Sequence, residues 1–295
     1  MNSVLMSMRL PFLVLAPVCV LLGLATALMS KGQVAVADLL VVLIGAVAAH
    51  ISVNTLNEYQ DFHSGLDAQT SRTPFSGGSG SLVKHPDAAN AVGVAALCSL
   101  AVTVLAGGYL LVRHGLAILP LGVLGVVIIL TYTRWLNRQP WLCLIAPGLA
   151  FGPLMVAGTH FALTGEYSVL AAYVALVPFF LVNNLLLLNQ FPDIEADRRV
   201  GRVHFPIAYG IRASTWVYGT FVLVAFLVLL AGIVREAIPA LGAIALIPMA
   251  AGAMAFLGAL RFGGDIQRLL PYMGLNVIAA VATPLVLGVA LIIGL

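Results

Sequence analysis

Nine apolar runs, each near the roughly 20 residues a helix needs to cross a lipid bilayer, dominate this chain and leave it few folds to choose from. They fall at about Leu10–Met29, Ala37–Leu56, Ala88–Val112, Leu116–Thr133, Leu142–Leu163, Val169–Leu188, Thr215–Ile233, Ile238–Leu260 and Tyr272–Leu295. In hydrocarbon every backbone N–H and C=O must find a partner inside the protein, so such runs are helices. The expectation is an all-α, polytopic membrane protein, nine transmembrane helices bundled around a central cavity. Pro147 and Pro153 interrupt the fifth run, which a membrane helix tolerates when neighbours satisfy the freed backbone groups. Only 8% of the 295 residues are charged, against roughly 25% in soluble domains. Cys19, Cys98 and Cys143 lie inside apolar runs without metal spacing and read as packing residues. No nucleic-acid partner and no obligate protein partner is expected; the surroundings are membrane lipid.

Charge sets the orientation. Eleven of the 14 Lys and Arg fall on the side of the N-terminus, which places that terminus in the cytoplasm. Eight of the 11 acids fall on the same side. A face made basic only for topology has no need of them, so the cytoplasmic face reads as the chemical one. Two loops there are long, 57–87 and 190–213, and cap what reads as a single membrane-embedded domain over residues 1–295. A bacterial inner (plasma) membrane is the expected location, with the site facing the cytoplasm.

The acids gather in two clusters. The first is Asn57-Glu58-Tyr59-Gln60-Asp61, followed by Gly65-Leu66-Asp67; the second is Asn189-Gln-Phe-Pro-Asp193-Ile-Glu195-Ala-Asp197-Arg198-Arg199. Both contain Asn-x-x-x-Asp where an apolar run meets water. Residues four apart share a helix face, so Asn57 pairs with Asp61 and Asp193 with Asp197, while Glu195 points elsewhere. Gly65 can end the helix, and Pro192 is expected to bend the second helix just before Asp193. Acids at a membrane boundary are functional candidates. Two facing carboxylate groups suit a hard divalent cation that keeps waters and substrate phosphates in its shell. Arg72, Lys84, Arg198, Arg199 and Arg202 suit phosphate oxygens. The set reads as a metal–diphosphate site whose substrate lays an apolar tail among the helices. The plainer alternative is solvated charges paired with one another.

Asn57 to Asp67 resembles the first aspartate-rich motif of the UbiA-type intramembrane aromatic prenyltransferases, in particular the branch that prenylates dihydroxynaphthoate in menaquinone biosynthesis. Asn189 to Arg202 is similar to that branch's second motif, and Phe151-Gly-Pro-Leu-Met-Val-Ala-Gly158-Thr to the segment between. The likeness covers nearly the whole chain. It implies Mg²⁺, as a pair of ions, bridging the acids and a polyprenyl diphosphate. It implies ionisation of the allylic C–O bond and attack of the carbocation on a small aromatic acceptor. By the family pattern Asn57, Asp61, Asp67, Asp193 and Asp197 hold metal and diphosphate, with Asp61, Asp193 and Asp197 central to catalysis. Glu58 stands where the family has Asp and joins the metal set. Arg72, Lys84, Arg198 and Arg202 contact phosphate. Tyr59, Phe62, Tyr132 and Phe151 are candidates to face the cation, and Asn184 and Asn189 to line the pocket.

Two departures, Val203-His204-Phe205-Pro206 in place of a Thr-rich end and Pro147 in place of Gly-Glu, bear on which acceptor binds. Arg134 can add a phosphate or acceptor contact. The loop Ser76-Gly-Gly-Ser-Gly-Ser81 reads equally as a lid or a phosphate cradle. His50 reads as a hydrogen bond between helices, Asn183 and Asn184 either as that or as cavity residues. Other readings are a transferase of the same superfamily with a different acceptor and, from another class, a divalent-cation transporter or channel.

Overall fold

The computed structural model describes residues 3–295, and among them every regular element is helical. The long helices are α1 (Leu10–Lys31), α2 (Val36–Ser64), α3 (Ala89–His114), α4 (Leu119–Thr131), α5 (Pro140–Thr164), α6 (Val169–Asn189), α7 (Phe205–Val234), α8 (Ala240–Phe262) and α9 (Ile266–Ile293). Eight helical stretches among the described residues are long and apolar enough to cross a membrane, against the nine expected. The difference lies in Pro86–Thr131, a stretch of 46 residues. A straight helix of that length would run about 69 Å, twice the hydrocarbon thickness. It breaks at Gly115, where φ is 70° and ψ −164°, and both arms, α3 and α4, pack on α2.

The apolar runs are hydrophobic all round, so which helix is central is decided by packing rather than by an amphipathic stripe. Helix α6 is the hub, packing against α1, α5, α7 and α9. Val174, Val177, Leu181 and Leu185 of α6 meet Leu15, Cys19 and Leu22 of α1 and Leu287 and Leu291 of α9 in one buried cluster. Helix α3 is the opposite case and carries exposed Val94, Leu97, Val104 and Leu105, as a lipid-facing helix does. Cys19 and Cys143 are buried; Cys98 is exposed on α3.

Helix α5 is irregular where its prolines fall. Pro140–Leu149 is followed by a π-helix over Ala150–Ala157 and a last α-turn, Gly158–Thr164. Proline removes the backbone donor of an i→i−4 bond, and wider i→i+5 pairing is one way to absorb the loss. The segment also lies close to α6: a Cβ on Gly148 would sit 2.1 Å from the carbonyl oxygen of Phe179. Only glycine fits there. At the far end from the acid clusters, Asp38 of α2 accepts from Tyr109 (2.8 Å) and Arg113 (3.1 Å) of α3, and Lys31 pairs with Glu166 at 2.9 Å.

Candidate active site

Helix α2 keeps its pairing through Ser64 and ends on Gly65, whose left-handed backbone (φ 75°) returns its N–H to the carbonyls of Asp61 and Phe62. The chain then turns back, which buries Asp67 beside the end of its own helix. The second cluster is built differently from the expectation. Pro192 does not bend a continuous helix; α6 stops at Asn189, and a short helix, Ile194–Arg199, restarts after Asp193. Four residues of turn, Gln190 to Asp193, separate them, because proline has no N–H to offer the preceding turn. Asp197 nevertheless sits one helical turn from Asp193, its N–H bonded to the Asp193 carbonyl at 2.8 Å.

The two clusters meet. Arg202 donates through one guanidinium nitrogen to Asp197 at 2.8 Å and through the other to Asp61. Asp197 accepts a further bond from His204 Nε2 at 2.9 Å. Residues 141 apart in sequence are thus tied by one buried fork. The loop 76–81 makes a second tie. Ser79 donates its backbone N–H (3.0 Å) and its hydroxyl to Glu58, and Gly77 N–H donates to Asp193 at 3.2 Å. The loop therefore lies over both clusters as a cover. Asp67 and Glu58 also approach one another beneath Gly78: a Cβ there would be 3.1 Å from one carboxylate and 3.2 Å from the other.

Not every basic or aromatic candidate arrives here. Arg72 is exposed on its outer side but donates to the Asp67 carbonyl at 2.7 Å and lies against Gly80. Lys84 and Arg134 are exposed, and Arg198 is exposed and paired with Glu195 at 3.0 Å. Arg202, expected on phosphate, is instead engaged by Asp61 and Asp197. Tyr59 faces away, packing with Leu82, Ala89 and Val92. Its position two residues from both Asn57 and Asp61 puts it across the helix from them, a signal present in the spacing. Tyr132 packs with Ile128, Leu136 and Ala146, within electrostatic reach of Arg202 and Asp197. Asn184 joins helices, donating to the Tyr218 carbonyl at 2.9 Å. Phe151 is buried against His50.

One residue was missed. Arg9 counted only as a topological charge, yet its guanidinium lies 3.8 Å from Glu58 and donates to Asn57 at 3.4 Å. Asn57 in turn donates to Thr133 at 3.0 Å. Arg9 has a left-handed backbone (φ 53°) at the start of α1, uncommon for a residue with a Cβ. Nothing in its spacing points to the acids.

The donor set suits a hard cation. Oδ2 of Asp67, Oδ1 of Asp193 and Oδ1 of Asn189 are buried oxygens without a hydrogen-bond partner. Among the described residues no three His, Cys, Asp or Glu side chains close into a cage. Mg²⁺ is held in that way, by one or two carboxylates with water and phosphate completing the shell. Burial pushes the Asp193 carboxyl up to about 7, Asp197 adding to the effect and the Gly77 N–H opposing it. Asp67 is likewise pushed up to about 7 by burial, then by Glu58 and Asp61, with Arg72 and Arg9 opposing.

Both carboxyls thus bind protons more tightly folded than unfolded, where the value is about 4. Their contribution to stability is complete below that value and is lost as pH rises toward about 7. The apparent melting temperature of the purified protein is expected to fall between about pH 5 and about pH 8 without divalent cation. Mg²⁺ with inorganic diphosphate should raise it more at the upper pH, since cation and proton compete for the same oxygens. A Mg²⁺ effect independent of pH would remove these two acids from the cation site.

The helical bundle that carries the paired acid clusters has a fold that solved structures share. A UbiA homolog from Aeropyrum pernix K1 superimposes with a TM-score of 0.68 at 18% identity, covering 96% of this chain and 98% of that one. A UbiA homolog from Archaeoglobus fulgidus, solved with DMAPP and Mg²⁺, gives 0.66 at 16% identity, covering 99% and 100%. The chain belongs to the UbiA prenyltransferase family, whose model matches residues 15–278. The 1,4-dihydroxy-2-naphthoate octaprenyltransferase of Bacillus subtilis (strain 168) is 26% identical over 191 residues, 64% of this chain. The match spans 60% of the length of that relative.

Proposed function

We propose that the protein transfers a polyprenyl group from a polyprenyl diphosphate to an oxygen-bearing aromatic ring of the dihydroxynaphthoate type, with release of diphosphate. The observation that carries this reading is the convergence of the two clusters, Asp61 and Asp197 on Arg202 and Asp193 on the Gly77 N–H of the loop 76–81. Buried oxygens of Asp67 and Asp193 are left for a cation, which fits Mg²⁺, in the two-ion form the family resemblance implies. Mg²⁺ supplies neutralisation of the charge that develops on the departing diphosphate.

The chain's own residues do the rest. Asp67, Asp193 and Asn189 would hold the cation that carries the head group. Asp61, Arg202 and Asp197 fix the distance between the two clusters, and Arg9, beside Glu58 and Asn57, is the cation placed to meet phosphate at the first. The loop 76–81 keeps water from the reacting carbon, which an allylic cation requires. The family membership and the Bacillus subtilis relative support the reaction class, and the Archaeoglobus fulgidus neighbour supports prenyl diphosphate with Mg²⁺. The eight apolar stretches fit an integral multi-pass protein. We read residues 1–295 as one membrane-embedded domain with nine crossings, α3 and α4 each making one. Its N-terminus and site face the cytoplasm at the bacterial inner membrane.

The test is incubation of the purified protein with a polyprenyl diphosphate, Mg²⁺ and 1,4-dihydroxy-2-naphthoate. Diphosphate release and a prenylated product by mass spectrometry are expected, both abolished by EDTA. No release with this or any hydroxylated aromatic acid would overturn the reading.

A further inference from the structure

Below the acid clusters the bundle holds buried side-chain nitrogens that have no hydrogen-bond partner. His50 is buried on α2, and its Nδ1 has no hydrogen-bond partner. Asn183 is fully buried on α6, and its Nδ2 has none either. In the middle of a membrane bundle such groups normally bond to a neighbouring helix, because hydrocarbon offers them nothing. These two have aromatic and backbone neighbours instead. The His50 ring meets Phe151 edge to face, centroids 4.8 Å apart. Asn183 Oδ1 accepts from the Gly148 N–H at 2.6 Å, which fixes its amide with Nδ2 turned away from that bond.

Gly148 and Phe151 are about one turn apart on α5. His50 from α2 and Asn183 from α6 therefore approach the same turn, and they do so where α5 enters its π-helix. Wide turns of that kind recur at functional sites. His50 also lies on the same face of α2 as Asn54, Asn57 and Asp61, at steps of four, three and four residues. Along the helix axis it sits about 16 Å below Asp61. Asn54 and Asn57 on that stripe are bonded, to the Met8 carbonyl and to Thr133. The stripe thus runs from the acids to an unpaired imidazole.

We propose that His50, Phe151 and Asn183 form the subsite for the acceptor ring, and that it takes a planar aromatic carrying at least a pair of oxygen substituents. Phe151 supplies the apolar contact, Asn183 Nδ2 donates to one substituent, and His50 Nδ1 pairs with another. His50 is a positioning residue: it sets the orientation of the ring beneath the diphosphate and so determines which acceptor is used. The inference rests on the transferase reading above and adds the residues that choose its second substrate.

The experiment compares wild type, His50→Ala and His50→Asn in detergent or liposomes. Asparagine can replace the hydrogen bond of an imidazole Nδ1. In His50→Ala the KM for 1,4-dihydroxy-2-naphthoate is expected to rise about tenfold or more, the loss of one buried hydrogen bond. The KM for polyprenyl diphosphate, and kcat at saturating acceptor, should stay within about threefold. His50→Asn should recover most of the acceptor KM. An unchanged acceptor KM in His50→Ala, or equal changes in both KM values, would overturn the assignment. A titration without turnover separates this from the transferase reading. Wild type should bind 1,4-dihydroxy-2-naphthoate more tightly than 2-naphthoate, and His50→Ala should lose that preference. A retained preference rejects the subsite, while absence of diphosphate release in wild type rejects the reaction and leaves this binding result standing.

Discussion

Asp193→Asn is expected to lower prenyl transfer by about two orders of magnitude or more while the protein stays folded. Asparagine keeps the shape of the side chain, and its amide oxygen can still accept the Gly77 N–H that Asp193 accepts at 3.2 Å. What it loses is the negative charge. Burial already drives this carboxyl toward its neutral form, up to about 7, so a neutral replacement costs the fold little. With the amide oxygen on Gly77, the amide NH2 stands where the unpartnered Oδ1 of Asp193 was, and a donor-only group cannot ligate a cation held between this residue and a diphosphate. Asp61→Asn should fail similarly, with a larger loss of stability, because Asp61 balances Arg202. Diphosphate release and thermal melting, measured on the same preparation, check both. Near-normal turnover in Asp193→Asn would take that residue out of the metal site.

Arg202→Met is expected to destabilise the protein by about 3–5 kcal/mol, the cost of leaving buried carboxylates without their cation. Asp61 and Asp197 both bond to this guanidinium, and all three side chains are largely buried. Lysine should rescue poorly, since a single ammonium cannot reach both acids with a planar fork. The double variant Asp61→Asn with Arg202→Met should recover part of the loss, because one of the stranded charges is then gone. A melting temperature for Arg202→Met equal to wild type would mean that the fork does not hold the clusters together.

The helices and both clusters were legible in the sequence because hydropathy and charge act locally. Length alone marks a crossing, and Asn57/Asp61 spacing marks a shared face. The count of crossings was harder to read, since α3 and α4 join through a single turn at Gly115. Among the basic residues, composition showed which end of the bundle they occupy but not which reach inward. Lys84 and Arg134 sit outside, while Arg9, far off in sequence, is turned inward by its own backbone. Contacts of that kind depend on how the first helix lies against the second. Pro192 illustrates the same limit, because a proline sets where a helix stops only when neighbours decide between a kink and an end.

The loop between Ser76 and Ser81 holds Glu58 with one residue and Asp193 with another two positions away. Neither half of the bundle can release it alone. On the proposed reaction, freeing spent diphosphate breaks both holds within the same opening, so departure of product and admission of the next head group become one gated event. On the transferase reading proposed above, opening of this glycine-serine strap is a gating step separate from the chemistry beneath it.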